Sequence, residues 1–219
     1  MGVEREAAQR VTRLCMVRHG ETAWNAEHRV QGQVDTPLNE LGLAQARALA
    51  AALADERFDA AYSSDLSRAR ETAAPLARRL ALPVRLDPGL RERHYGIFET
   101  LTYAEVRARF AADYARFDAR DPDYDFRTGE SLRAFHARCV GGVASLAARH
   151  CGQSILVLTH GGVLEMVYRH ATGRGLSSER DFRIPNAAIN RIEVAAARWT
   201  VSGWADCAHL EGALDDLAG

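Results

Sequence analysis

Lysine is absent from this chain of 219 residues: all 28 basic side chains are arginine, against 29 acidic ones, for a formal net charge of −1. Without lysine there is no Schiff-base chemistry, no lysine general base, and no phosphate-cradling loop ending in Gly-Lys-Ser/Thr. Cysteine is sparse. Cys15, Cys139, Cys151 and Cys207 show no Cys-x-x-Cys spacing, so structural zinc is not expected and a reduced, cytoplasmic protein is. A cysteine nucleophile in a phosphate loop needs an arginine six positions on, and those positions hold Glu21, Ser145, Val157 and Ala213. No apolar run approaches the roughly 20 residues of a membrane span. The opening MGVEREAAQRVTR lacks the apolar centre of a signal peptide. A net charge near zero supplies no field for nucleic acid or an anionic membrane.

What is present is arginine and alanine in excess, which a coding bias explains for the bulk of the 28 arginines. Individual guanidiniums that grip phosphate or carboxylate as forks must be argued one by one. The length supports one domain over residues 1–219.

Short apolar runs predict strands at Leu14–Val17, Phe58–Ser63, Pro83–Leu86 and Ser154–Thr159, with two more at Asn190–Val194 and Trp199–Trp204 joined by an Ala-rich link. Helices are predicted over Glu40–Arg57, Asp65–Leu80 (with Ser64 or Asp65 as N-cap), Tyr103 to about Phe117, from after Ser131 to about His150, and from after His160-Gly161-Gly162 to Thr172. Strands alternating with helices predict an α/β fold with a central, mainly parallel sheet, in which ligands bind beyond the carboxyl ends of the strands. Two predicted strands, Leu14–Val17 and Ser154–Thr159, each run into a His-Gly, at His19-Gly20 and His160-Gly161.

That coincidence points to a site. Glycine after His19 allows a tight turn and close ligand approach, and Arg18 beside the imidazole disfavours its protonation. Arg68 falls in the first turn of a helix, where its fork can meet an anion. Glu92 follows the third strand among arginines, so burial must offset their pull if it is to carry a proton. Two histidines, two arginines and a carboxylate fit phosphoryl transfer through a phosphorylated histidine, or a metal held by His19, His160 and Glu92. The metal-free reading is preferred because Arg18 and Arg68 beside a divalent cation cost binding energy.

The segment LCMVRHGETAWNAEHRVQGQVDTPLNELGLAQARAL from Leu14, with SSDLSRARETA, LRERHYGIFE, TGESL, LTHGG and RIPNAAINRIEV, resembles the histidine phosphatase superfamily, which includes the cofactor-dependent phosphoglycerate mutases. The resemblance covers nearly the whole chain. It implies a three-layer sandwich with a helical insertion over the active site, at about 95–150. It implies that His19 is the nucleophile, that Arg18, Arg68 and His160 hold the phosphoryl group, and that Glu92 protonates the leaving oxygen. Asn25, Gln31 and Gly161 are then substrate contacts, with no metal and no cofactor.

Within that family, RERHYG is mutase-like. However, Tyr103 stands where a mutase carries a lysine, eight residues after Tyr95, and no paired arginines are evident around Ala119–Arg127. Gly129-Glu130-Ser131 and the lack of an extended C-terminal tail resemble the phosphatase branch. Phe98 and Thr100 depart from that branch, which has tryptophan and glycine there. The expectation is a metal-independent phosphomonoester hydrolase acting on a small phosphorylated metabolite, as a monomer or homodimer. The alternative is a 2,3-bisphosphoglycerate-dependent mutase, with a metal hydrolase or a phosphate-binding module behind it.

Overall fold

The computed structural model describes residues 10–196 and 198–210. Short runs in which every second side chain is apolar on each face bury both sides of a sheet. β1 (Thr12–Arg18) sends Leu14 and Met16 into one core and Cys15 and Val17 into the other. It lies in a six-stranded sheet with β2 (Ala60–Ser63), β3 (Val84–Leu86), β4 (Ser154–Thr159), β5 (Ile189–Ala195) and β6 (Arg198–Asp206), in the order β3-β2-β4-β1-β5-β6. β3, β2, β4 and β1 are mutually parallel, whereas β5 and β6 are added antiparallel. The Ala-rich link between the last two strands includes Ala197, which lies outside the described residues, as do 1–9 and 211–219 of the expected domain.

Seven α-helices follow in chain order among the described residues: α1 (Ala23–Ala26), α2 (Glu40–Ala52), α3 (Ser67–Leu80), α4 (Tyr103–Arg109), α5 (Ala111–Asp118), α6 (Leu132–Arg149) and α7 (Gly161–Thr172). Leu49 of α2 and Leu76 of α3 pack on one sheet face. Val143 and Leu146 of α6 with Leu164 and Val167 of α7 pack on the other. This is the expected three-layer α/β sandwich. The segment expected over the site divides in two. Residues 96–131 carry α4 and α5 around their own aromatic core, Phe98, Tyr124 and Phe126 with Val30 and Val106, whereas α6 belongs to the layer. Among the described residues no helix is long and apolar enough to cross a membrane.

Two local expectations fail for tertiary reasons. The helix from Tyr103 breaks at Phe110 (φ −134°, ψ 49°), where the ring turns to stack on Phe98 at 6.5 Å. The N-cap of α3 is Leu66, not Ser64 or Asp65. Its orphan Ser67 N–H donates instead to Asp35 Oδ1 at 2.6 Å, from a distant loop. The single turn α1 has no counterpart among the predicted helices; Thr22 and Asn25 close it as a reciprocal capping box.

The two departures at 98 and 100 have physical accounts. Phe98 is fully buried at the centre of the aromatic core, 5.0 Å from Phe126 ring to ring. Thr100 has φ +72°, the left-handed region where glycine is the unstrained residue.

Candidate active site

Parallel pairing decides what the sequence left open, namely which strand ends meet. Arg18 pairs with Thr159 and Ser63 with Leu158, so the ends of β2, β4 and β1 stand side by side. His19 N–H continues the ladder to Thr159 O at 2.9 Å, and Ser64 N–H to Leu158 O at 2.9 Å. The residues that follow these three strands, Ser64, His160 and His19, therefore converge. The His19 and His160 ring centroids are 5.1 Å apart.

His19 is buried, and its Nδ1–H donates to Gly20 O at 2.7 Å. A carbonyl only accepts, so this bond fixes the proton on Nδ1 and leaves Nε2 as the lone-pair nitrogen. Burial, then Arg68 and Arg18, hold the imidazole well below its ordinary pKa. Gly20 must be glycine because α2 approaches closely: a Cβ there would sit 2.7 Å from Gly42 O. Its N–H is held by Thr72 Oγ1 at 2.9 Å.

Both guanidiniums are buried, Arg18 at 2% and Arg68 at 1% exposure. Arg18 Nη1 donates to Ile184 O at 2.7 Å. Arg68 donates to Gly32 O at 2.7 Å and Val34 O at 3.0 Å, which fastens the loop carrying Gln31. Arg68 has no carboxylate ion pair among the described residues, and its Nε has no hydrogen-bond partner. Burial pushes its pKa down to about 10. His160 Nε2 meets Ser64 Oγ at 2.8 Å, while its Nδ1 is buried without a partner. Burial with Arg68, His19 and Arg18 holds His160 well below its ordinary pKa.

Glu92 stands opposite, buried, with Oε1 accepting Arg93 N–H at 2.7 Å and Oε2 accepting Gly162 N–H at 2.9 Å. Desolvation raises its pKa against those two bonds and against Arg68 and Arg18. Arg93 bonds Glu92 through its backbone N–H, and, against the lowering by burial, its guanidinium is near enough for the Glu92 charge to raise the arginine's own pKa.

Arg18, His19, Asn25, Gln31, Arg68 and Glu92 line one small cavity of about 40 Å³, with Tyr95 and Tyr103 at its wall. Thr36 donates to Gln31 Oε1 at 2.7 Å, which leaves the Gln31 amide NH₂ as the donor. His160 is not among the residues that line this cavity. Gly161 does not line this cavity; its neighbour Gly162 is the glycine that meets Glu92. Among the described residues no three His, Cys, Asp or Glu side chains are grouped to hold a metal ion.

Some supporting residues escaped the sequence reading. Ala187 N–H donates to both Arg18 O and His19 O, at 3.1 and 3.2 Å, and Asn186 Nδ2 donates to His19 O at 3.1 Å. The signal for them in the sequence is the Pro185-Asn186 turn before β5. Ser64 read as a cap because a serine between strand and helix usually is one.

Residues 14–207 match the histidine phosphatase superfamily, branch 1. The chain is 36% identical over 203 residues to a metal-independent phosphoserine phosphatase of Arabidopsis thaliana, covering 91% of this chain and 84% of that one. It is 38% identical over 202 residues to phosphoglycerate mutase-like protein 4 of the same plant, covering 90% and 86%. Among solved structures it resembles a mycobacterial glucosyl-3-phosphoglycerate phosphatase, with TM-score 0.79, 33% identity, and coverage of 90% and 99%. The chain belongs to branch 1 of the histidine phosphatase superfamily and is an enzyme of its phosphohistidine-forming, phosphatase type.

Proposed function

We propose that the chain hydrolyses small phosphomonoesters in two steps on His19, without a metal. The observation that carries this reading is a neutral His19 with Nδ1 tied to Gly20 O, set beside Arg68, a buried cation with no carboxylate partner. A buried guanidinium is stable only where an anion can join it, and a phosphoryl group is an anion that His19 Nε2 can attack.

In the first step Nε2 forms the N–P bond as the P–O ester bond breaks, and Glu92 delivers its proton to the departing alkoxide. In the second, water attacks phosphorus, gives a proton to Glu92, and the N–P bond breaks. Arg18 and Arg68 face charge spread over the equatorial oxygens, with the His160 ring packed beside His19, and Asn25 and Gln31 add hydrogen bonds from the pocket rim. The titrations support the division of labour. At ordinary values a glutamate ionises before a histidinium does, so the required neutral His19 and protonated Glu92 would rarely coexist; their opposite shifts bring the two states together. The substrate is a small phosphorylated metabolite, and the cysteine usage supports a cytoplasmic setting.

The test is a quench of the turning-over enzyme with labelled phosphate ester. The expected product is a protein-bound phosphate stable in base and labile in acid, absent from His19→Ala. Full p-nitrophenyl phosphate turnover by His19→Ala would overturn the nucleophile. Efficient interconversion of 3- and 2-phosphoglycerate would favour the mutase reading, which the phenol of Tyr103 at the pocket wall disfavours.

A further inference from the structure

Phe135 and Cys139 of α6 pack against Val163 and Met166 of α7 in a buried cluster. His136 follows Phe135 directly, and His170 lies one helical turn beyond Met166. The packing of the two helices therefore brings two imidazoles together at their surface. The ring centres are 5.9 Å apart, with the planes inclined at 54°. His136 is half-buried and His170 is exposed, and neither lines the catalytic pocket.

Neither ring serves the protein's own hydrogen bonding. The imidazoles of His19, His150, His160 and His209 each meet another protein group, whereas no described residue bonds the ring nitrogens of His136 or His170. Those nitrogens are not sealed from solvent either. An ordinary imidazole is mostly neutral at pH 7 and carries one lone pair that can bind a metal. Trp199 stands edge to face against His170, at 4.8 Å and 80°, which restrains the ring. His170 also lies in the last turn of α7, where carbonyl groups without intrahelical partners favour a cation.

We infer that His136 and His170 form a bis-imidazole site for one divalent transition-metal ion, separate from the reaction at His19. Two imidazoles that share such an ion keep their nitrogens about 2 Å from it, which sets the ring centres roughly 5–6 Å apart. These two rings already have that separation. Imidazole suits copper, nickel and zinc rather than magnesium or calcium. Two protein ligands leave water to complete the shell, so the ion exchanges with solvent and staples α6 to α7 instead of acting on substrate. The other close pair, His19 and His160, is unlike it, because Arg68 and Arg18 act on both of those rings and repel a cation.

The experiment titrates Ni²⁺ and Cu²⁺ into the purified full chain, freed of any affinity-tag histidines, and follows tryptophan fluorescence and Tm. Trp199 touches a ligand ring, so either paramagnetic ion should quench it, saturating at one ion per chain. Trp199→Phe should lose most of the quench and still bind. At a hundredfold excess over Kd the ion should raise Tm by about 5 °C or more. Tightness should follow Cu²⁺ > Ni²⁺ > Co²⁺ > Mn²⁺, and EDTA should reverse both signals. His136→Gln and His170→Gln should each weaken binding by at least about tenfold and remove the rise in Tm. Unchanged binding in these two variants would overturn the site, as would a wild type that binds none of the ions. Should a variant fail to fold, mapping on wild type decides: Ni²⁺ should protect His136 and His170 from diethyl pyrocarbonate, and equal modification with and without the ion overturns the assignment.

Discussion

Gly162 N–H donates to Glu92 Oε2 at 2.9 Å, and a Cβ on Gly162 would lie 2.1 Å from Glu92 Oε1. The first turn of α7 therefore both aims the carboxyl group and forbids any side chain beside it. Gly162→Ala should leave the fold intact, since the atoms that must give way belong to the side chains of Glu92 and Phe135 and not to the backbone. It should lower kcat for alkyl phosphates by about 10²-fold or more through loss of proton delivery. Circular dichroism and steady-state kinetics on the same sample check both halves.

Removing the proton itself gives a sharper signature. Glu92→Gln should lose about 10²–10⁴-fold on alkyl phosphates, but far less on p-nitrophenyl phosphate, whose anion departs unaided. Equal losses on both esters would show that Glu92 is not the proton donor.

The opposite shifts of His19 and Glu92 predict a bell-shaped pH dependence of kcat/KM. The acid limb reports protonation of His19, displaced below the ordinary histidine range, and the alkaline limb reports ionisation of Glu92, displaced above the ordinary carboxylate range. A profile with its alkaline limb unchanged in Glu92→Gln would contradict this assignment.

Stability follows the same titrations with a definite sign. His19 and His160 have lowered folded-state pKa values, so the unfolded chain binds more protons below its ordinary histidine pKa of about 6.5. Their contribution is complete above that pH and is lost as pH falls toward the folded values. Tm should decline on acidification from pH 7, and less steeply in His160→Asn than in wild type; parallel curves would refute it.

Thr100 holds φ +72° while its N–H is bonded to Val30 O at 2.9 Å and its carbonyl to Arg29 Nη1 at 2.6 Å. A β-branched residue there carries about 1–2 kcal/mol of strain, which exceeds the entropic cost of glycine, roughly 0.5–1 kcal/mol. Thr100→Gly should stabilise the protein by about 0.5–1 kcal/mol in urea unfolding, with the bonds retained.

The strands, the alternation with helices and the two His-Gly endings were legible in the sequence because burial on two sheet faces imposes short apolar runs, and glycines must follow where backbones crowd. Family likeness supplied the grouping of His19, Arg68, Glu92 and His160, which lie as much as 141 positions apart in a sequence that contains no record of their distances. Strand order decided that grouping physically: β1 and β4 are neighbours, so two distant histidines meet. Other features had no local signal at all. Asp35 caps a helix that begins 32 residues later, Phe110 breaks a helix to reach Phe98, and segment 184–187 braces Arg18 and His19 from the far end of the chain.

The absence of lysine divides in the same way. Composition alone determined that every cation is a guanidinium, and hence which chemistries are impossible. Only the tertiary structure decided which arginines matter, because partnering and burial are properties of the fold. Arg120, Arg138 and Arg191 are neutralised by carboxylates, whereas Arg68 is buried against the carbonyl oxygens of Gly32 and Val34, which can orient a cation but cannot cancel its charge.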